Sequence, residues 1–145
     1  MTVELLLPED IEVRALAELS TRLPIHGFPA VTTANRRLGT KIPTTNPKPD
    51  VFGRLIATGG TTRDLVTDSP TLSLEGYSVK EQEARDLCAL MLAIVEAAAR
   101  AGSLGGATVY RSRTASLPQS LPNPLVPDHF RFTALISVDL RRVTA

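Results

Sequence analysis

The sequence is poor in the residues that most often build a chemical site. Its 145 residues include one cysteine, two histidines and no tryptophan. A single cysteine, Cys88, excludes an intramolecular disulfide and an all-cysteine zinc site. His26 and His129 lie in proline-flanked loops far apart in the chain, and neither has a second His or Cys at ligand spacing. No metal site is therefore expected.

Long apolar runs and a dominant charge are also missing. No stretch approaches the ~20 apolar residues that a membrane-spanning helix needs, so no membrane partner is expected. The 16 basic and 15 acidic residues nearly cancel, so no net field favours nucleic acid or a membrane surface as the main partner. The segment Met1–Pro8 carries Glu4 before its leucines and lacks a basic region, which is unlike a signal peptide. A soluble protein of a reducing compartment is expected.

Motifs for catalysis are lacking as well. The chain has no G-x-S-x-G motif, and Cys88 falls inside an apolar helical pattern, where a buried small side chain is expected rather than a nucleophile. The segment Ala57–Asp64 resembles a phosphate loop, but its spacing is wrong and a strand-like segment follows, which favours a β-hairpin turn. Asp64 and Asp68 could form an acid/base or metal pair, although turn aspartates more often bond their own backbone. We predict no catalytic residue and no cofactor.

Two helices stand out among the elements that are present. The first begins around Pro8 and Asp10 and ends at Pro24 and Gly27. The second begins at Ser78 and Glu81, whose spacing predicts a capping box, runs to Arg100, and is capped by Gly102. Its predicted buried face consists of Ala84, Leu87, Cys88, Met91, Ile94, Val95 and Ala98, widened by Leu90 and Leu92.

The remaining apolar patterns predict strands. They cover Phe28–Asn35, Val51–Thr58, Arg63–Thr67, Thr71–Tyr77, Ala107–Arg113 and Phe130–Val143, with turns at Gly59–Gly60 and Asp68–Pro70. Gly53 marks a bulge or a close backbone approach. The order predicts a single α+β domain over residues 1–145, in which an antiparallel or mixed sheet carries both helices on one face.

Two proline-rich segments are predicted to be loops, Arg36–Asp50 and Ser116–Pro127. The first carries the basic residues Arg36, Arg37, Lys41 and Lys48 without an interleaved aromatic residue. Three interpretations remain open. The loop contacts an acidic protein surface, or it contacts DNA passing through a ring, or it is solvated and does neither.

Taken over nearly its full length, the chain resembles the tail terminator (tail completion) proteins of long-tailed phages, in the versions found in phages of actinobacteria. The resemblance is carried by a series of short markers in order. They are Ile42-Pro43, Pro47-Lys-Pro49, Val51-Phe-Gly-Arg-Leu, Gly59-Gly60, Asp68-Ser-Pro-Thr-Leu, the alanine-rich helix with Ala84 and Leu87, Leu117-Pro, Asn123-Pro, Phe130-Arg-Phe132 and Leu140-Arg141. One departure is the spacing Pro127-Asp-His-Phe130-Arg131, where similar proteins put an aromatic residue directly after a Pro-Arg pair. The terminal strand also stops almost at the end of the sequence.

The resemblance implies a non-enzymatic virion protein of the tail or neck, assembled in the host cytoplasm. Such a protein forms a ring, commonly a hexamer, which binds the last ring of the tail tube protein, stops its polymerisation and presents its other face to the head–tail connector or head-closure protein. DNA passing through the lumen is a further partner. The expected interface residues are Arg36, Arg37, Lys41, Lys48, Arg54, Arg63, Leu117, Leu121, Phe130 and Arg131, with the two proline-rich loops contacting neighbouring rings.

Other functions compete with this interpretation. A head-closure or adaptor protein, or a tail tube subunit, would share the small size and the ring. More remote alternatives are a small ligand-binding module that uses the Gly59–Asp64 turn and a nucleic-acid-binding module that uses the basic loop.

Overall fold

A computed structural model describes residues 3–145. Met1 and Thr2, which begin the segment that is unlike a signal peptide, lie outside the described residues. The elements follow in the order β1 (Leu6–Leu7), α1 (Ile11–Arg22), a 3-10 segment (Leu23–His26), β2 (Leu38–Gly39), β3 (Val51–Thr62), β4 (Thr67–Ser78), α2 (Glu81–Ala101), β5 (Ser103–Leu104), β6 (Ala107–Ser120), β7 (Phe130–Arg141) and β8 (Val143–Thr144).

Six strands form one mixed sheet in the order β2–β3–β4–β7–β6–β5. The β2–β3 pair is parallel and the other neighbours are antiparallel. The two short strands β1 and β8 pair separately, antiparallel to each other. Both helices cover one face of the sheet, with α2 across its central strands and α1 against α2 and β3. The predicted α+β architecture is confirmed.

Helix α2 provides most of the core. The residues of its predicted buried face are all buried, and Leu92 is buried with them. On β4, Leu72, Leu74 and Gly76 lie on the face that meets this helix, because side chains alternate along a strand. A Cβ atom at Gly76 would lie 2.6 Å from the Ala84 carbonyl oxygen, so only glycine allows this close approach of strand and helix.

Helix α1 begins and ends as the sequence indicates. The side chain of Asp10 caps it by accepting a hydrogen bond from the Val13 amide. After Arg22 the chain tightens into the 3-10 segment that contains Pro24, and Gly27 ends this segment in the left-handed conformation. Glu12 joins the helix to the sheet, because its carboxylate accepts the Ala57 amide proton at 3.0 Å.

The predicted capping box of α2 is wrong in detail. Lys80 is the N-cap residue and makes no side-chain capping bond. The Ser78 hydroxyl accepts from the Lys80 amide and donates to Glu83 rather than to Glu81. The helix therefore begins two residues later than a capping box at Ser78 predicts, because Ser78 still belongs to strand β4. The predicted C-terminal cap at Gly102 is confirmed.

The strand predicted at Phe28–Asn35 is also wrong. The segment forms consecutive turns, in which the Val31 amide bonds the Phe28 carbonyl and the Arg36 amide bonds the Thr33 carbonyl. Arg36, which directly follows the predicted strand, adopts a positive φ of 58°. Local hydrogen bonds override the β propensity of the valine and threonines.

The hairpin after β3 is longer than predicted. Strand β3 continues through Gly59–Gly60, and the turn lies at residues 63–66. Asp68–Pro70 belongs to β4 rather than to a turn. The glycines instead take up a register shift between Ala57 and Gly60. A Cβ atom at Gly60 would lie 2.4 Å from the Ser69 carbonyl oxygen, so the glycine lets β3 approach β4 beside Pro70.

Three further boundaries differ from the predictions. Strand β6 extends to Ser120, so the predicted loop Ser116–Pro127 is a loop only from residue 121 onward. Strand β2 lies inside the predicted loop Arg36–Asp50. The predicted final strand is interrupted at Arg142, whose side chain turns to Asp68 and separates β7 from β8. At Gly53 the predicted close approach is present, because a Cβ atom would lie 3.3 Å from the sulfur of Met91.

Candidate functional site

The two predicted interface loops lie against each other at one end of the sheet. We refer to residues 40–50 and 121–129 together as the two-loop surface. The His129 ring joins the loops, because its Nε2 lies 2.7 Å from the Pro49 carbonyl oxygen. Between them is a cavity of about 250 Å³, lined by Asn46, Pro47, Lys48, Asp50, Val79, Leu125, Val126, Pro127, Asp128 and His129.

A small hydrophobic cluster supports the two-loop surface from below, on the sheet face opposite the helices. Phe52 and Tyr77 stack with ring centroids 4.5 Å apart and an interplanar angle of 12°. Val126 and Ile42 pack against the pair, one from each loop. The His129 ring lies 5.3 Å from the Phe52 ring. Aromatic residues are only 4% of the chain, and two of them form this stack. The stack holds both irregular loops against the sheet.

A buried polar network extends the anchor. Arg54 donates to both oxygens of the buried Glu75 carboxylate, at 2.9 and 3.1 Å, which is a strong bidentate geometry. The Tyr77 hydroxyl donates to Glu75 at 2.6 Å and accepts from Asn123 at 3.1 Å. Burial raises the pKa of Tyr77, and the hydrogen bond to Glu75 raises it further.

Two of the predicted interface residues belong to this network. Arg131 lies 3.8 Å from Glu75 and also donates to the Leu121 carbonyl oxygen. The side chains of Arg54 and Arg131 are only 18% and 20% exposed. Arg54 and Arg131 are thus placed to hold the loop 121–129 on the sheet. The sequence analysis did not identify Glu75, the partner that the two arginines share. The alternation of strand β4 provided one signal, because Glu75 and Tyr77 share a face.

Three of the four basic residues of the first loop line two different cavities. Arg36 and Lys41 line an open groove of about 410 Å³ around β2, whereas Lys48 lines the cavity between the loops. The carbonyl oxygen of Arg37 accepts the Gly53 amide proton and so holds the loop to strand β3. In the cavity Lys48 is offset by Asp50 and Asp128. Lys48 therefore lines a different cavity from Arg36 and Lys41.

The predicted apolar interface residues lie around the same end of the sheet. Leu117 is 72% exposed, and Leu121 and Phe130 are about two-fifths exposed. Leu125, which the sequence prediction missed, is 79% exposed. These four side chains therefore leave apolar area exposed around the two-loop surface.

Arg63 lies elsewhere, at the opposite end of the same sheet face. Its Nη1 atom donates to Asp139 at 2.7 Å, and Nε of Arg111 donates to the same carboxylate oxygen at 2.7 Å. The Ser69 hydroxyl donates to the other oxygen at 2.6 Å. Burial opposes ionisation of Asp139, but these hydrogen bonds and the two positive charges outweigh it, so its pKa lies below the ordinary value. Asp139 is eight positions from Arg131 on β7, roughly 27 Å at ~3.4 Å per residue.

The residues that the sequence offered for catalysis or metal binding are engaged in contacts that stabilise the fold. Asp64 accepts the Val66 amide proton at 3.0 Å, which confirms that it bonds its own turn. Asp68 holds Arg142. Cys88 is buried as predicted, and burial raises its pKa to about 12. Across residues 3–145, no three His, Cys, Asp or Glu residues are grouped so that they could hold a metal ion.

No protein-family model matches the chain, and a search of curated proteins found no match either. Within the described part of the chain, neither helix has the length and apolar character required to cross a membrane.

Proposed function

We propose that this chain is a tail terminator, a non-enzymatic virion protein of the tail or neck. In this proposal copies of the chain close into a ring, commonly of six, that caps the tail tube and faces the head connector. The observation that carries the proposal is that the sheet has two unlike edges, one on each side of the molecule, which are available for contact with further copies.

The first edge is strand β6. Strand β5 pairs with it only at Ala107 and Thr108. Among residues 3–145, no strand pairs with the outer side of β6 beyond Thr108. The edge also carries the exposed Leu117. An unpaired strand edge is a template for pairing with another chain.

The second edge is strand β3. Strand β2 pairs with it only at Gly53 and Arg54, and Glu12 accepts the amide proton of Ala57. In the described chain the outer side of Thr58–Thr62 has no paired strand. The β3 edge therefore differs from the β6 edge in length, sequence and side of the molecule. A contact between unlike patches is head-to-tail, and it produces a ring when the rotation closes.

Features of the β6 edge favour a specific contact over indiscriminate aggregation. The pairing of β6 with β7 is irregular at three places, and Pro118 lies near the end of the strand. Bulges, prolines and charges on an edge oppose unselective strand pairing. A partner must therefore match the irregular shape of the strand, as a second copy of the same protein can.

The solution mass tests ring formation. Light scattering across a concentration series is expected to show about six subunits of 15.6 kDa each. Leu117→Lys is expected to lower the mass toward that of the monomer, because it places a charge in the contact. Ile25→Lys is the matched control, since Ile25 is 70% exposed but follows α1 on the helix side of the sheet. If both variants lowered the mass equally, the β6 edge would not be part of the contact between subunits.

A tube-assembly assay tests the capping role and separates it from related neck functions. The tube subunit encoded in the same genome is polymerised with and without this chain, and tube length and the position of the chain are measured by electron microscopy. A terminator shortens the tubes and occupies one end. Incorporation along the length would instead identify a tube subunit. Binding to the connector without any effect on tubes would identify a head-closure protein.

The basic residues of the first loop are tested in the same assay. Replacing Arg36, Arg37, Lys41 and Lys48 together by serine is expected to weaken joining of tails to heads, if the loop contacts a neighbouring ring. The fold should persist, because none of the four side chains makes a hydrogen bond or ion pair with the described residues, and Arg36 and Arg37 bond only through their backbone. Unchanged joining would contradict a role for this loop.

A further inference from the structure

A group of arginines lies on the sheet face opposite the helices, at the end away from the two-loop surface. Arg63 and Arg111 bond to Asp139, and together with Arg113 they line a cavity of about 120 Å³. The cavity could hold roughly four waters at ~30 Å³ each. The remaining residues that line it are polar, namely Thr61, Ser69, Ser112 and Ser137. We call this group the arginine basin.

The basin is held in a defined geometry. The carboxylate of Asp139 is only 9% exposed and fixes Arg63 through Nη1 and Arg111 through Nε. Across residues 3–145, the other guanidinium nitrogens of these two arginines have no hydrogen-bond partner, and Arg113 forms neither a hydrogen bond nor an ion pair. Most of the donors of three guanidinium groups thus remain available, although their orientation is partly fixed.

The local charge differs from that of the whole molecule. Arg141 lies two positions from Asp139 on the same face and contacts Tyr110. Asp64 lies beside Arg63, but its carboxylate accepts a backbone amide proton. Four arginines and two aspartates leave a local charge of +2, whereas the whole chain carries only +1. Positive charge is therefore concentrated here and is not a general property of the surface.

We propose that the arginine basin binds a phosphate group, either as a free phosphate or as part of a nucleic-acid backbone. Every cation in the basin is arginine, whose planar fork donates in pairs to phosphate oxygens. The guanidinium groups come from the β3–β4 turn and from β6, so they reach a tetrahedral anion from two sides. The Thr61 hydroxyl on the cavity wall adds a further donor, whereas the Ser69 hydroxyl already donates to Asp139. This inference goes beyond the proposed ring and does not depend on it.

The full chain is titrated with inorganic phosphate and, separately, with a 12-base-pair DNA duplex while the arginine Nε–Hε signals are followed by NMR. Phosphate is expected to shift the signals of Arg63, Arg111 and Arg113 in a saturable way. Arg113→Ser is expected to raise the Kd at least fivefold. Arg100→Ser is the matched control, because Arg100 is also exposed and without a described side-chain partner but lies at the end of α2, and it should change the Kd less than twofold.

The two titrations distinguish the sources of phosphate. Saturable binding of inorganic phosphate that the duplex does not displace supports a small phosphorylated ligand. Tighter binding of the duplex, with a salt dependence that Arg113→Ser reduces by about one charge, supports a nucleic-acid backbone. Shifts that are as large at Arg100 as at Arg113 would mean unselective screening and overturn the proposal. An absence of shifts with both probes would overturn it as well.

Discussion

At the residue scale, Gly76 shows how closely strand β4 and helix α2 approach. Gly76→Ala is expected to destabilise the fold by about 3 kcal/mol, at the upper end of overpacking costs, because the new methyl group would meet backbone atoms of Ala84 and Cys88 at 2.6 and 2.8 Å. Urea unfolding measures the change. Gly39→Ala is the control, since a Cβ atom there meets nothing within 4 Å. A loss below ~0.5 kcal/mol for Gly76→Ala would show that the helix can shift away.

Asp139 links stability to pH. Its folded-state pKa lies below the ordinary value of 3.8, so its ionisation stabilises the fold fully above that unfolded-state value and loses its effect as pH falls through the folded-state pKa. Asp139→Asn is expected to cost about 1–3 kcal/mol at pH 7, as for hydrogen bonds to charged groups. The difference from the unmodified chain should shrink below about pH 4.

Urea unfolding at several pH values measures this difference. Asp86→Asn, on the exposed side of α2, is the control and should change the unfolding free energy at pH 7 by less than ~0.5 kcal/mol. A gap between Asp139→Asn and the unmodified chain that persists unchanged to pH 2 would exclude the carboxylate charge as its cause.

Buried helix residues and the residues that surround Asp139 differ in how far the sequence predicts them. Burial of Cys88 and Met91 follows from helical periodicity, which is a local pattern. The partners of Asp139 do not, because Ser69 and Arg111 lie 70 and 28 positions away in the chain. Only the order of strands brings them together, and a single sequence does not determine that order.

At the element scale, helix α1 depends on its N-cap. Asp10→Ala is expected to cost about 1 kcal/mol, because the Val13 amide loses its acceptor. Asp10→Asn should cost little, since asparagine caps as well as aspartate. Thermal unfolding of both variants provides the comparison. Equal losses in the two variants would point to the charge of Asp10 near the helix terminus rather than to the capping bond.

Some secondary-structure elements could be predicted from the sequence, and others could not. The bounds of both helices were predicted to within a few positions, because caps and periodicity are encoded locally. The β3–β4 hairpin was misplaced, since glycine and proline usually indicate turns and here allow two strands to pass closely. In the candidate site both loops were predicted, but their contact through His129 and Pro49 required the fold.

At the scale of the whole molecule, the two short strands β1 and β8 form a clasp. Arg142 fixes it, because its side chain bonds Asp68 at 2.9 Å and the Leu6 carbonyl oxygen at 3.3 Å. Arg142→Ala is expected to speed amide exchange in residues 143–145 at least tenfold and to leave the amides of β4 and β7 protected, because local opening needs fewer contacts to break.

Hydrogen exchange followed by mass spectrometry measures this effect. Arg141→Ala is the control, since Arg141 makes a single side-chain bond, at 3.3 Å to Tyr110. If Arg142→Ala accelerated exchange equally in the clasp and in the large sheet, the clasp would not open as a separate unit.

The buried position of Cys88 makes the labelling rate of its thiol a measure of how often the core opens. Its sulfur lies 3.7 Å from the Leu74 carbonyl oxygen, between α2 and the central strand β4. An alkylating reagent needs a thiolate that it can reach, and both conditions require the helix to leave the sheet. The rate of labelling in native buffer therefore reports the rate at which α2 separates from the sheet. Assembly into a larger particle that restrains this opening would therefore slow the labelling of Cys88.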